Sequence, residues 1–299
     1  MLGIWKLIDN QIVGIGQTER LGYPQDDFSL PEEYIQAIPA IPIFRTCHGF
    51  GDWGILSAMP RLIKEKYPDK EVLIPSPELI HQMFSHFIDN LKWWSSWKEP
   101  WMNARNVFAN NPYVDGEFSS FQGEIFCDHL RLYSTDTIYD PLAKQMLRVW
   151  SFTEEELSDV RPELYFSKEE IEEGDKLIAK HLGEEFTSLI LSNKHIYGER
   201  DNQVIEVLKQ YPYKCLYYSS VPLEETPYRD YVKEPVKLLD VTKDLRLQLY
   251  IRSKAQANIG TQSGVMDIIA RYTPTYILPH NTEATFKSGN FIQTVNYIV

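Results

Sequence analysis

The sequence predicts an α/β protein of two halves, each a parallel sheet wound with helices, facing each other across a cleft. Three features carry that expectation. Strand-like apolar runs alternate with stretches of helical spacing from about residue 41 to residue 280. Two small-residue turns, one around Gly51 and one around Gln262, each follow a strand and open a helix. The stretch RPELYF at 161–166 reads as an extended linker between two such sets, dividing the chain into 1–165 and 166–299.

The first 39 residues do not begin like a standard α/β domain. Residues 4–8 and 11–15 flank Asp9-Asn10, a pattern that suggests a β-hairpin. Pro- and acid-rich sequence follows through Pro24, Pro31 and Pro39, so 1–39 reads as an extension of the first half. Residues 41–46 are strand-like, HGFGDWG at 48–54 is a glycine-rich turn, and Ile55, Leu56, Met59, Leu62 and Ile63 give 55–67 helical spacing. Pro68-Asp69 ends that helix and 71–74 starts a second strand. Strand, turn, helix and strand in this order make a right-handed βαβ unit with parallel strands. Residues 78–88 and 140–150 read as helices, and KWWSSWKEPW at 92–101 is dense in tryptophan.

In the second half, Ser167 and Glu170 form a capping box that opens a helix. Strands are expected at 188–191, 214–218, 236–239, 257–259 and 275–278, with helices at 202–210, 245–254 and 265–271. Gly260, Thr261, Gln262, Ser263 and Gly264 make the turn between a strand and a helix. Orphan N–H donors and partial positive charge at a helix start favour anions. Ligands of such folds sit at the carboxyl ends of strands. The turn therefore points to a nucleotide or phosphorylated ligand, with an ordinary βα turn as the plain alternative.

Composition narrows the class. A chain of 299 residues with 43% hydrophobic and 24% charged residues is of the soluble globular type. A formal charge of -12 argues against nucleic acid as the main partner, because phosphate neutralisation needs a basic face. Cys47, Cys127 and Cys215 lie far apart with no zinc spacing, which fits free thiols in a reducing compartment. No basic-then-apolar leader is visible, and no apolar run approaches the ~20 residues that span a bilayer. The expected location is cytoplasmic.

Four segments together resemble the heptosyltransferase-like glycosyltransferases, family 9, which have a GT-B fold. They are GFGDWGILSAMPRLIKEKYPDKEVLI at 49–74, NPYVD at 111–115, RPELYFSKEEI at 161–171, and the stretch from LLDVTKDL at 238 through ANIGTQSGVMDII to TYIL at 278. They occur in the family's order. The resemblance implies two Rossmann-like domains, 1–165 on the acceptor side and 166–299 holding a nucleotide-sugar. It implies transfer of the sugar to a carbohydrate acceptor, a glycan or lipopolysaccharide type, with inversion. It puts the family's catalytic aspartate at Asp52, a general base worth ~10² to 10⁴ in rate. The alternative for Asp52 is a helix cap.

Around that base, His48, Gly49, Gly51 and Trp53 are candidates for the acceptor side, with structural histidine and core packing as the plain readings of His48 and Trp53. On the donor side, the 260–264 turn needs cations beside it, and Lys194 and Arg200 in the loop after the 188–191 strand are the candidates. Asp240 and Thr242 either line the nucleotide pocket or cap the helix at 245. The family's donor signature runs acid, Ser or Thr, Gly, then His three residues on; here those places hold Gln262, Ser263, Gly264 and Asp267. The chain has no Asp-x-Asp pair, so neither metal nor other cofactor is expected, and the partners are the nucleotide-sugar and its acceptor. The Trp-rich segment suits a core cluster or a sugar or lipid platform, which leaves peripheral membrane contact open. Two other functions remain: a nucleotide-sugar epimerase or hydrolase of the same fold, and a degenerate glycan-binding protein.

Overall fold

A computed structural model describes residues 2–8, 11–17, 29–44, 50–54, 56–80, 101–119, 124–128, 147–158, 160–191, 201–261, 263–278 and 295–297. By contact clustering the chain forms two compact units, Met1–Tyr165 and Phe166–Val299.

The first unit runs β1 (Leu2–Ile8), β2 (Gln11–Gln17), α1 (Glu32–Ala37), β3 (Ala40–Pro42), α2 (Phe50–Gly54), α3 (Met59–Lys66), β4 (Glu71–Pro75), α4 (Trp101–Phe108), β5 (Gly116–Phe118) and β6 (Glu124–Asp128). Strands β1 and β2 pair antiparallel, and β6 pairs antiparallel with the other edge of β1. A separate parallel sheet has the order β3-β4-β5. The βαβ unit expected from the sequence is thus parallel, but its helix starts later. Pro60 sits in the first turn of α3, where a missing N–H costs nothing, and the chain ahead of Met59 is a turn rather than helix. Met59, Leu62 and Ile63 are buried beside the parallel sheet, as the helical spacing requires. The NPYVD segment is tied to β4: Asp115 accepts from the Val72 N–H at 2.7 Å and pairs with Lys64 at 2.7 Å.

The second unit runs α5 (Lys168–His181), β7 (Phe186–Leu191), α6 (Asp201–Gln210), β8 (Lys214–Ser219), β9 (Lys233–Lys237), α7 (Leu238–Val241), α8 (Leu245–Ser253), β10 (Ala257–Thr261), α9 (Gly264–Ile269), β11 (Thr275–Leu278) and β12 (Val295–Tyr297). The strands form one six-stranded sheet in the order β9-β8-β7-β10-β11-β12, and every pairing in it is parallel. Counted within the unit this is 3-2-1-4-5-6, the doubly wound nucleotide-binding order.

Strand periodicity explains how both faces are covered. In β7, Leu189 and Leu191 pack with Val204 and Leu208 of α6 on one face. Phe186 packs with Ile178 of α5 and Ile251 of α8 on the other, and Ile190 meets Met266 of α9. All six β7 residues are buried, as expected of a central parallel strand. The Ser167–Glu170 capping box is present in full. Glu170 also takes Arg246 of α8 on both oxygens, at 2.6 and 2.9 Å. Gly174 of α5 lies beneath the Tyr250 ring, where a Cβ would come within 2.2 Å of it. Helices α5 and α8 are therefore fastened by a half-buried ion pair and a glycine notch.

Three sequence expectations need correction here. The strand expected at 236–239 ends at Lys237, because Leu238 and Val241, three apart, bury together against Leu216 as a helical turn. Residues 48–54 are not an open turn throughout, since Phe50–Gly54 is helical. Gly260 and Thr261 belong to strand β10, so the turn that follows is shorter than expected.

Candidate active site

The second unit carries the better defined candidate site. The strand order reverses between β7 and β10, and a crevice opens outside the carboxyl ends of strands at such a switch point. Gly260 is in register with Ile190 there. Its φ is +153°, and a Cβ would lie 2.1 Å from the Ile190 carbonyl oxygen, so only glycine fits. The Thr261 hydroxyl donates to the same carbonyl at 3.4 Å. The glycine thus lets β10 close tightly on β7 at the switch point. Beyond it Ser263 caps α9, its Oγ accepting from the Met266 N–H at 3.4 Å. Helix α9 has only six residues, so its dipole contributes less than the sequence suggested. Gly264 opens that helix and is half-buried.

The loop after β7 carries Lys194 and Arg200, and both lie outside the described residues, as does Gln262. Asp267 is on α9, with its side chain undescribed. Asp240 is exposed on α7. Neither Asp240 nor Thr242 caps α8. That cap is Asp244, which accepts from the N–H groups of Arg246 and Leu247, and the Thr242 hydroxyl braces it by accepting from the Asp244 N–H at 3.1 Å.

In the first unit, Asp52 and Gly51 are carried on α2, whose backbone is described while the Asp52 side chain is not; His48 and Gly49 lie outside the described residues. Trp53 is fully buried, with its ring edge-on to Phe108 at 6.3 Å. This fits core packing, the plain reading of Trp53: α2 packs on α4 through that indole. Its Nε1–H finds no acceptor among the described residues.

Sequence reasoning missed what holds this turn. Ser57 is fully buried; its Oγ donates to the Gly54 carbonyl at 2.7 Å and accepts from the Glu163 N–H at 2.7 Å. The Glu163 carboxylate, also buried, takes Arg61 Nε at 2.8 Å and the Tyr165 hydroxyl at 2.7 Å. Burial alone would pull Arg61 down, but hydrogen bonds to Glu65 and Glu163 carry its pKa above the usual value. Burial and the bond to Glu163 push the Tyr165 hydroxyl up. The end of α2, the start of α3 and the stretch before the unit boundary are one polar assembly. No local pattern announces it, because Ser57 and Glu163 are 106 residues apart.

Other expectations fall as follows. Cys215 is buried and free, its thiol pushed up to about 11 by burial, which marks a packing residue. Trp93, Trp94 and Trp97 lie outside the described residues. Among the described residues no helix is long and apolar enough to cross a membrane, and no group of three or more His, Cys, Asp or Glu is placed to hold a metal ion.

No protein-family model matches the chain, and no curated protein matches it. Solved structures similar over most of their length include two glycosyltransferase-related ones. One is a glycosyl transferase family 9 protein from Veillonella parvula DSM 2008, at 10% identity over 86% of this chain and 85% of that one, with a TM-score of 0.48. The other is POFUT1 in complex with GDP-fucose, at 12% identity over 87% of this chain and 98% of that one, with a TM-score of 0.39.

Proposed function

We propose that this chain is a glycosyltransferase that moves a sugar from a nucleotide-sugar to a carbohydrate acceptor by direct displacement with inversion. The observation that carries the reading is the switch point between β7 and β10 of a doubly wound parallel sheet, the place where such sheets hold nucleotides. The ordered motifs in both units support it. The diphosphate rests at the junction of β10 and α9, residues 260–264, with Lys194 or Arg200 neutralising it. Asp52 takes the proton of the attacking hydroxyl. Cations and backbone N–H groups stabilise the leaving diphosphate without a metal. A carbohydrate acceptor on the first unit meets Asp52 through the glycines beside it.

Binding tests the donor half. Thermal shift against ADP, GDP and UDP, with EDTA and with magnesium, should show one nucleotide raising Tm without metal; a ligand at 100 times its Kd adds about 2.7 kcal/mol. No shift with any nucleotide from folded protein favours a glycan-binding protein that has lost its donor site, the reading to which Gln262 and Asp267 point. Chemistry tests the other half. With the donor identified, Asp52→Asn should lower transfer at least ~10²-fold while nucleotide binding stays intact. Free sugar released without acceptor would instead favour a hydrolase or epimerase.

A further inference from the structure

Helix α2 carries Asp52 yet is a single turn of five residues, too short to keep its own direction. What holds its carboxyl end therefore decides how the turn stands. There the Trp53 carbonyl accepts from the Leu56 N–H at 2.9 Å, and the Gly54 carbonyl accepts from the Ser57 N–H at 3.2 Å and from the Ser57 hydroxyl at 2.7 Å. The same hydroxyl oxygen accepts from the Glu163 N–H at 2.7 Å, and the Glu163 carboxylate holds Arg61 of α3. Ser57 is fully buried, and among the described residues Glu163 is the one buried acidic side chain.

Buried charge is a poor way to gain stability alone, since apolar side chains of the same volume often do as well. What hydrogen bonds add is direction, because they weaken steeply away from the donor axis. The contact of the Trp53 ring with Phe108 has no such preference and tolerates sliding. A general base must come within about 3 Å of the proton it takes. A misplacement of about 1 Å costs on the order of 10²-fold in rate. We propose that Ser57 is a positioning residue for the general base: its hydroxyl fixes the Gly54 carbonyl, and with it the turn that presents Asp52 to the acceptor hydroxyl. This rests on the reading of Asp52 given above and adds the residue that holds it in place.

The test compares the full chain with Ser57→Ala, Ser57→Cys, Glu163→Gln and Asp52→Asn. Transfer is measured from ADP-, GDP- and UDP-sugars to oligosaccharide and lipopolysaccharide acceptors, and hydrogen exchange follows the α2 amides. Ser57→Ala should lower kcat at least about tenfold with the donor KM unchanged. Its α2 amides should exchange about tenfold faster while those of β4 keep their protection. Ser57→Cys keeps a weak donor in nearly the same volume and should fall between Ser57→Ala and the parent. Glu163→Gln retains the N–H that reaches Ser57, so its kcat should stay close to that of the parent although the unit is destabilised. Equal losses of kcat in Ser57→Ala and Glu163→Gln would mean a general loss of stability and overturn the positioning role. An unchanged kcat in Ser57→Ala overturns it too, and leaves the base standing where Asp52→Asn lowers transfer. Transfer undiminished in Asp52→Asn overturns the base reading and the role of Ser57 with it, as does a parent chain that transfers from no nucleotide-sugar.

Discussion

The candidate sites of the two units are built by different means. In the second unit the switch point is specified by backbone: six parallel strands fix its position, and a glycine against a carbonyl fixes its shape. In the first unit α2 is one short turn beside a three-stranded parallel sheet, held by the Trp53 ring and by hydrogen bonds from Ser57 and Glu163. A site made of backbone tolerates changes to its polar side chains but no added carbon. A site made of side chains has the opposite weakness.

The chain supplies a way to watch each unit alone. All seven tryptophans, Trp5 to Trp150, precede residue 151, so tryptophan fluorescence reports the first unit alone, and a circular dichroism transition that does not coincide with it reports the second. Gly260→Val should have the largest effect, destabilising the second unit by about 3 kcal/mol through overlap with Ile190 and a strained φ. Its denaturation midpoint should fall while the tryptophan transition stays in place. An unchanged midpoint would mean that the backbone approach is not obligatory, and the contrast would fail.

Ser57→Ala should come next, at about 2 kcal/mol, because it leaves the buried Glu163 N–H without its acceptor. The loss should appear in the tryptophan transition alone. Glu163→Gln keeps the shape and removes the charge facing Arg61, for a loss of about 1.5 kcal/mol in the same transition. If neither variant moved it, the turn would be held by Trp53 packing, and the contrast between the two units would weaken.

The smallest effect is in the second unit. Burial first, and then the hydrogen bond to Asp175, raise the Tyr250 hydroxyl to about 12 from 10.0. The unfolded chain therefore loses this proton first, and the stabilisation, complete below pH 10, is lost as pH rises toward 12. Tyr250→Phe should cost about 1 kcal/mol at neutral pH and progressively less between pH 10 and 12. A cost independent of pH across that window would show that the hydroxyl does not titrate with folding.

What could be read from sequence follows the same divide. Strongly periodic elements were legible: the Ser167 capping box, the helix at 201–210 and the strands at 214 and 275 all lie within a few residues of expectation. Local chemistry was misread where one residue type serves two ends. Gly260 and Thr261 look like turn residues, yet they are strand residues whose small size serves a close approach. Leu238 and Leu239 look like a strand, but α7 turns there so that Leu238 and Val241 share one buried patch. Trp53 beside an expected base suggested a ligand, and burial assigned it to packing. The Ser57–Glu163 relay was invisible, since nothing in either neighbourhood encodes a partner so distant in sequence.

That relay has a consequence for biosynthesis. Glu163 and Tyr165 are among the last residues of the first unit to leave the ribosome, and they are the ones that lock the turn carrying Asp52. Until then the α2 turn has only its packing on α4 and the Ser57–Gly54 bond, and its link to the end of the unit forms as the chain passes the unit boundary. Immediately afterwards Ser167 starts a helix with its own cap, so the next unit begins its growth from a self-sufficient end.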